Sequence, residues 1–389
     1  MKILHIVDNF GRAAYGLGTI SLGLAKAQLD MGEDVYLWSS SSEADVIWAS
    51  ENYNIAIERL KGFSSILPPF NISFKEYSAS RNVNFDIVHQ HSLWTFQSIM
   101  TSILRNKGAK TSIAAHGTLS EFALNKSKLK KNIALSLFEK RNLEKSQVLH
   151  ATSELEIEDF RRLNLKNPIA YIENGIGSQF IYKKGDGNLF KRKYNIPEDK
   201  KVLLYLSRIT PKKGLDMLLK AISEVKDKFS EWILIIVGND EFNYQKRVEE
   251  MIKELQLSNF IFIVEPQIGL NKFNAFDASN FFILPSYSEG SPMVVVDALA
   301  YGLPVITTKS SSWRDLVNYE CGYWVDINKN AIKEALLKML ALKNDTLLKY
   351  SDNAKKLVVD KYLWDEISKK TISLYSWMIN KDLKPDFIY

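Results

Sequence analysis

The chain alternates short apolar runs with amphipathic segments from end to end, and that alternation leaves few folds open. Runs such as Val202–Leu206, Trp232–Val237 and Phe281–Leu284 are almost wholly apolar rather than apolar at every second residue. Strands buried on both faces read this way, and helices between successive strands cover a parallel sheet. The first half supplies strands near Lys2–Val7, Asp34–Trp38, Asp86–His89, Thr111–Ala115, Val148–Ala151 and Ile169–Ile172. The second half adds Val202–Leu206, Trp232–Val237, Phe260–Val264, Phe281–Leu284, Pro304–Thr307 and Gly322–Val325. A long helix over Leu17 to Met31, closed by Gly32, joins the first two strands. Over 389 residues, two such halves call for two domains. The looser stretch Gly175–Asn195, rich in Gly, Lys and Asn, reads as the linker between them.

Composition narrows the class. Apolar residues make up 46% and charged residues 25%, as in an ordinary soluble globular protein. The single cysteine, Cys321, excludes an internal disulfide and fits a reducing compartment. The start, Met1–Asp8, is too short and polar for a secretory signal, and no apolar run approaches the roughly 18 residues that span a bilayer. A cytoplasmic location is therefore expected. The formal charge of +6 suits phosphate-bearing ligands or anionic lipid and is no signature of nucleic-acid binding.

The chemistry concentrates after two strands of the second half. Ser286–Ala300 is a small-residue turn that opens a helix, with Glu289 before the helix and Asp297 inside it. A helix start offers free N–H groups and a positive dipole end, which suit diphosphate. Carboxylates at its border can accept from sugar hydroxyls. Arg208-Ile209-Thr210-Pro211-Lys212-Lys213-Gly214 follows the Val202–Leu206 strand and sets Arg208 and Lys213 where both could meet a phosphate oxygen. The alternative is a solvated basic turn. The loop Asn9–Thr19 is Gly-rich but is no dinucleotide fingerprint, since Leu22 stands where the third glycine belongs.

All five histidines lie in the first 150 residues. His116-Gly117 and His89-Gln90-His91 end strands and are candidates for sugar contact or proton handling. His5 and His150 read as structural. Zinc at His89 and His91 lacks further ligands at a recognisable spacing, and no Asp-x-Asp pair offers a carboxylate clamp, so no metal is expected. Asn125–Lys145 holds seven Lys/Arg and two Glu, with Leu129, Ile133 and Leu137 at helical spacing. It reads either as a basic amphipathic helix touching an anionic membrane or as a helix packed by that apolar side.

Together these motifs resemble the retaining glycosyltransferases of family four, of GT-B fold, and the likeness covers almost the whole chain. It rests on the first loop, His116-Gly117, Ile172-Glu173-Asn174-Gly175, Arg208 to Gly214, Val237-Gly238-Asn239 and the acidic pair. His116-Gly117-Thr118-Leu119 with the Lys-rich helix is similar to bacterial members that build exopolysaccharide, capsule or O-antigen. The resemblance implies two Rossmann-like domains facing a central cleft. Residues 1–177 would receive the acceptor, 178–371 would bind the nucleotide sugar, and a C-terminal helix at about 372–389 would cross back. It implies Arg208 and Lys213 on the leaving diphosphate, Glu289 on donor-sugar hydroxyls and His116 beside the sugar. Gly16, Gly238, Gly290, Ser291, Pro292, Met293 and Val294 would line the donor. Asp297 stands where the family usually has Glu on the ribose, and Tyr15 where it has a glycine.

The implied reaction moves a hexose-type sugar from a UDP- or GDP-sugar to a glycan acceptor, expected to be lipid-linked, with retention and without metal or other cofactor. The expected partners are that donor, a glycan or lipid-linked oligosaccharide and an anionic membrane surface, with no nucleic acid. Other readings are a GT-B-shaped nucleotide-sugar epimerase, a catalytically weak subunit and a bilobed sugar-binding protein.

Overall fold

The computed structural model describes residues 1–10, 16–60, 84–381 and 383–389, with Phe96 by its backbone alone. The chain divides into two compact units, Met1–Gly175 with Trp364–Tyr389, and Ile176–Leu363.

The first unit is built on a parallel sheet of β1 (Lys2–Val7), β2 (Asp34–Ser39), β3 (Ala56–Arg59), β4 (Ile87–His91), β5 (Lys110–Ala114), β6 (Val148–Ala151) and β7 (Ile169–Tyr171). Their order is β3-β2-β1-β4-β5-β6-β7. The second unit holds β8 (Lys201–Leu206), β9 (Trp232–Val237), β10 (Ile261–Val264), β11 (Phe281–Leu284), β12 (Val305–Thr308) and β13 (Gly322–Val325), ordered β10-β9-β8-β11-β12-β13. Every residue of β9 and β11 is buried, as strands covered on both faces must be. Both sheets are doubly wound, and the strand order reverses between β1 and β4 and between β8 and β11. The carboxyl ends of strands at such reversals are where open α/β sheets bind ligands.

The helix Trp364–Asn380 belongs to the first unit. Its Ile367, Leu374, Tyr375 and Met378 share a core with Ile3, Leu24 and Ile87. The second unit thus ends at Leu363, whereas the sequence suggested 371. The reason is Trp364, whose indole lies against Gly23 and Gly175 so closely that a Cβ on either would collide with the ring.

The stretch read as the linker is ordered structure, and so are the described residues of Ser40–Asn71. Within Ser40–Asn71, Ser42 caps the helix Glu43–Tyr53 by accepting from the Asp45 N–H, and β3 pairs in parallel with β2. Residues 61–71 of that stretch lie outside the described residues. Gly175–Asn195 is no free linker beyond Ile176. It forms the helices Gln179–Tyr182 and Gly187–Lys193 and buries Phe190 in the core of the second unit. Gly185 and Gly187 permit this, because a Cβ there would strike the backbone of Phe273–Ala278. Among the described residues no helix is long and apolar enough to cross a membrane.

Candidate functional site

In the second unit the site grows from the loops after β8 and β11, at the strand-order reversal. The loops are joined by backbone: the Tyr287 N–H donates to the Lys212 carbonyl at 2.9 Å. Gly214 makes that approach possible. Its φ is +71°, and a Cβ on it would lie 2.0 Å from the Pro285 carbonyl oxygen. Lys213, just before it, sets its Nζ 2.5 Å from Glu289 Oε1, and the two side chains are only 8% and 9% exposed. Glu289 is fixed further by the Ser286 hydroxyl and by its own N–H, which donates to the Ser310 carbonyl at 3.0 Å.

Arg208 is half exposed and pairs with Glu241 at 2.6 Å, while its carbonyl accepts from the Tyr205 hydroxyl. Gly238 follows β9 against this turn; a Cβ there would lie 1.8 Å from the Ser207 carbonyl oxygen. Burial lowers the Lys212 ammonium from its ordinary value, with Glu289 opposing and Lys213 and Arg208 adding to the effect. Three cations of the Arg208–Gly214 turn therefore surround one buried carboxylate of the facing loop. That arrangement can exchange an internal counter-charge for a bound anion.

The loop then runs through Gly290, Ser291 and Pro292 into the helix Met293–Ala300. Pro292 provides no side-chain cap; the Val295 N–H donates to the Pro292 carbonyl at 3.0 Å, which leaves the Met293 and Val294 N–H groups to bind an anion. Gly290, Ser291, Met293 and Val294 are half-buried and Pro292 is buried. Asp297, two turns into the motif, has a partner that the sequence did not announce: it is ion-paired with Lys272 of the helix Leu270–Asp277.

In the first unit, Gly16 opens the helix Leu17–Asp30 at φ +100°, with no atom of the described residues within 4 Å of the place of a Cβ. The expected departure at Tyr15 lies outside the described residues. His116 follows β5 at φ +50° and is half-buried. The next N–H, of Gly117, donates to the buried Glu156, which also accepts from the Thr152 N–H at 2.7 Å and its hydroxyl at 2.9 Å. Burial raises the Glu156 carboxyl above its ordinary value against those bonds.

His89 and His91 are corrected by the structure. His89-Gln90-His91 does end a strand, since β4 stops at His91, but both imidazoles are fully buried under the pairing of β1 and β5 with β4 and are not open to a sugar. They join His5, His116 and His150 in one hydrogen-bonded cluster. Burial lowers His5 and His150 to about 4 and His116 to about 3. His5 and His150 are hydrogen-bonded structural histidines, as expected.

Sequence reading missed Lys272, Glu241, Gln28 and Tyr375. The last two are an amide and a phenol in otherwise apolar helical stretches. The Lys-rich segment packs by Ala134, Leu135, Phe138 and Leu143. It leaves Leu129, Ile133 and Leu137 exposed at 74%, 47% and 70%, against the packed alternative.

Known proteins share this fold. The model of "Glycosyltransferase Family 4" matches residues 15–180, and that of "Glycosyl transferases group 1" matches 187–357. An uncharacterised glycosyltransferase of Methanocaldococcus jannaschii is 26% identical over 48% of this chain and 47% of its own. The lipopolysaccharide 1,2-N-acetylglucosaminetransferase of Salmonella typhimurium is 27% identical over 52% and 55%. The chain thus spans about half the length of these relatives. The solved structure of Anabaena HepE in complex with UDP and glucose superposes with a TM-score of 0.73, at 17% identity, over 97% of this chain and 99% of that one. The fold is GT-B, and the two family models together account for nearly all of 15–357: the chain belongs to the family 4 glycosyltransferases.

Proposed function

We propose that the protein transfers a hexose-type sugar from a UDP- or GDP-sugar to a glycan acceptor in the assembly of a bacterial surface polysaccharide. The observation that carries this is the buried Lys213–Glu289 pair, set beside Arg208 and the uncapped start of Met293–Ala300. HepE, of the same fold, is solved with UDP and glucose, which supports a uridine nucleotide sugar. The Salmonella relative acts on lipopolysaccharide, which supports a surface-glycan acceptor.

In this reading the second unit holds the donor. Lys213, Arg208 and the helix N–H groups take the charge that develops on the departing diphosphate, so no metal is required; loss of one such group typically raises a barrier by about 3 kcal/mol. Glu289 accepts from donor-sugar hydroxyls, and Asp297 meets the ribose beside Lys272. The acceptor oxygen attacks the anomeric carbon from the face the diphosphate leaves. The carbon–phosphate-oxygen bond breaks, the new glycosidic bond forms, and the acceptor's proton passes to the leaving phosphate oxygen, retaining configuration. His116 accepts from a sugar hydroxyl of the substrates. The acceptor is lipid-linked, and exposed Leu129, Ile133 and Leu137 amid lysines bring the enzyme to the cytoplasmic face of an anionic membrane.

The test is calorimetric titration of UDP and GDP, without metal, into wild type and Lys213→Ala. Binding of one nucleotide that weakens sharply in the variant is expected. Failure of both to bind wild type would overturn the donor site. Turnover of nucleotide sugar to an altered free sugar without acceptor would make the protein an epimerase instead.

A further inference from the structure

The buried histidines form a chain of hydrogen bonds that can run in only one direction. Parallel register sets His5 beside His89, and His91 and His150 on either side of Ala114. Residues two apart on a strand share a face, so these four imidazoles point to one side of the sheet. Ser112 and Ala114 on β5 are small enough to leave them room.

The direction starts at a backbone carbonyl. Ile172 O can only accept, and His150 Nε2 lies 2.8 Å from it, so His150 carries its proton on Nε2. His150 Nδ1 then accepts from His89 Nε2 at 3.1 Å. His89 Nδ1 accepts the Tyr375 hydroxyl hydrogen at 2.6 Å. With its hydrogen committed, the Tyr375 oxygen can only accept from Gln28, 3.5 Å away, so the amide nitrogen faces Tyr375 and the amide oxygen faces His5. His5 donates from Nε2 to that oxygen at 2.8 Å and accepts at Nδ1 from His91 Nε2 at 2.9 Å. Finally His91 Nδ1 accepts from His116 Nε2 at 3.1 Å. The chain requires neutral imidazoles, and burial keeps all five below the ordinary value of 6.5.

We propose that His150, His89, Tyr375, Gln28, His5 and His91 are positioning residues that hold His116 as its Nε2–H tautomer. The lone pair on His116 Nδ1 is thereby presented, at the carboxyl end of β5, as an acceptor for a sugar hydroxyl. The inference rests on the proposed sugar role of His116. A metal centre is the rival use of the cluster, since nitrogens of His5, His89 and His91 lie within 4.8 Å of one another. The ring planes oppose it. His89 and His91 stack at 4.5 Å with 26° between planes, so their in-plane lone pairs do not converge on a point.

Nitrogen-15 NMR of histidine-labelled protein reads each tautomer directly, in wild type and in Tyr375→Phe. Wild type is expected to show all five rings as Nε2–H. Tyr375→Phe frees the Gln28 amide to turn, so His116 should become a mixture of tautomers. In the same variant kcat should fall about ten-fold while the donor KM stays within about two-fold, because a general steric loss would not sort the two. An Nδ1–H His116 in wild type, an unmoved tautomer in the variant, or stoichiometric zinc binding that shifts His5, His89 and His91 would each overturn the proposal. If no sugar transfer is found yet His116 remains Nε2–H, the transferase reading falls and the tautomer assignment stands.

Discussion

Lys213 Nζ and Glu289 Oε1 lie 2.5 Å apart with both side chains more than nine-tenths buried, so each is the other's counter-charge. Removing one partner of such a pair leaves a buried charge unmatched, typically at a cost of about 3 kcal/mol. Glu289→Gln should therefore lower the melting temperature. A bound nucleoside diphosphate replaces the missing negative charge. The rise in melting temperature on adding UDP or GDP should then be larger in Glu289→Gln than in wild type. Equal shifts in the two proteins would show that the diphosphate does not reach Lys213.

Gly214 separates strain from collision. An alanine at φ +71° carries about 1–2 kcal/mol of left-handed strain, and here its Cβ would also strike the Pro285 carbonyl. Gly214→Ala should thus push the Arg208–Gly214 turn off the β11 loop and weaken nucleotide binding more than about ten-fold. Gly16→Ala carries the same kind of strain while no described residue lies within 4 Å of the new methyl, so it should lower stability without a collision. Calorimetry and thermal melting on both variants check this. Nucleotide affinity unchanged in Gly214→Ala would mean that the turn does not hold the donor.

Much of this was legible from sequence, for reasons that can be named. Fully apolar runs such as Trp232–Val237 placed strands closely, because a strand covered on both faces leaves no other reading. Glu289 and Lys213 were legible because each stands next to a turn glycine just past a strand. The Asp297–Lys272 pair was not, since it joins two helices whose packing no local pattern encodes. The histidine chain was hidden for the same reason. Alternation shows that His89 and His91 share a face, but the register that adds His5 and His150 is set by pairing between distant strands. β3 escaped notice because Ala56-Ile57-Glu58-Arg59 is an edge strand, half-buried and half polar.

The buried imidazoles make stability depend on pH. His5 and His150 are lowered from 6.5 to about 4 and His116 to about 3 in the folded state. Below 6.5 the unfolded chain binds protons that the fold refuses. Their contribution is therefore complete above 6.5 and is lost as pH falls toward 4, by up to about 1.4 kcal/mol per histidine per pH unit. Asp8, Glu139, Glu156 and Asp159, whose carboxyls burial raises, act in the opposite sense and offset part of what the five histidines contribute. Urea unfolding midpoints should fall steeply between pH 6.5 and 5. A flat profile over that range would contradict a neutral cluster.

The exposed apolar residues of the Lys-rich segment bear on where the enzyme works. Leu129 and Leu137 are more than two-thirds exposed, while Lys128, Lys130, Lys140 and Arg141 around them are exposed as well. A leucine entering the acyl boundary contributes about 1.5–3 kcal/mol, and each nearby cation about 1 kcal/mol at an anionic surface. Wild type should co-sediment with anionic vesicles at low salt and much less with neutral ones. Binding should weaken in 0.5 M salt, where screening confines the attraction to a few ångströms. Leu129→Glu with Leu137→Glu should abolish it while the fold stays intact, because neither side chain supports the core. Equal sedimentation of wild type and the double variant would move membrane contact, if any, to another surface.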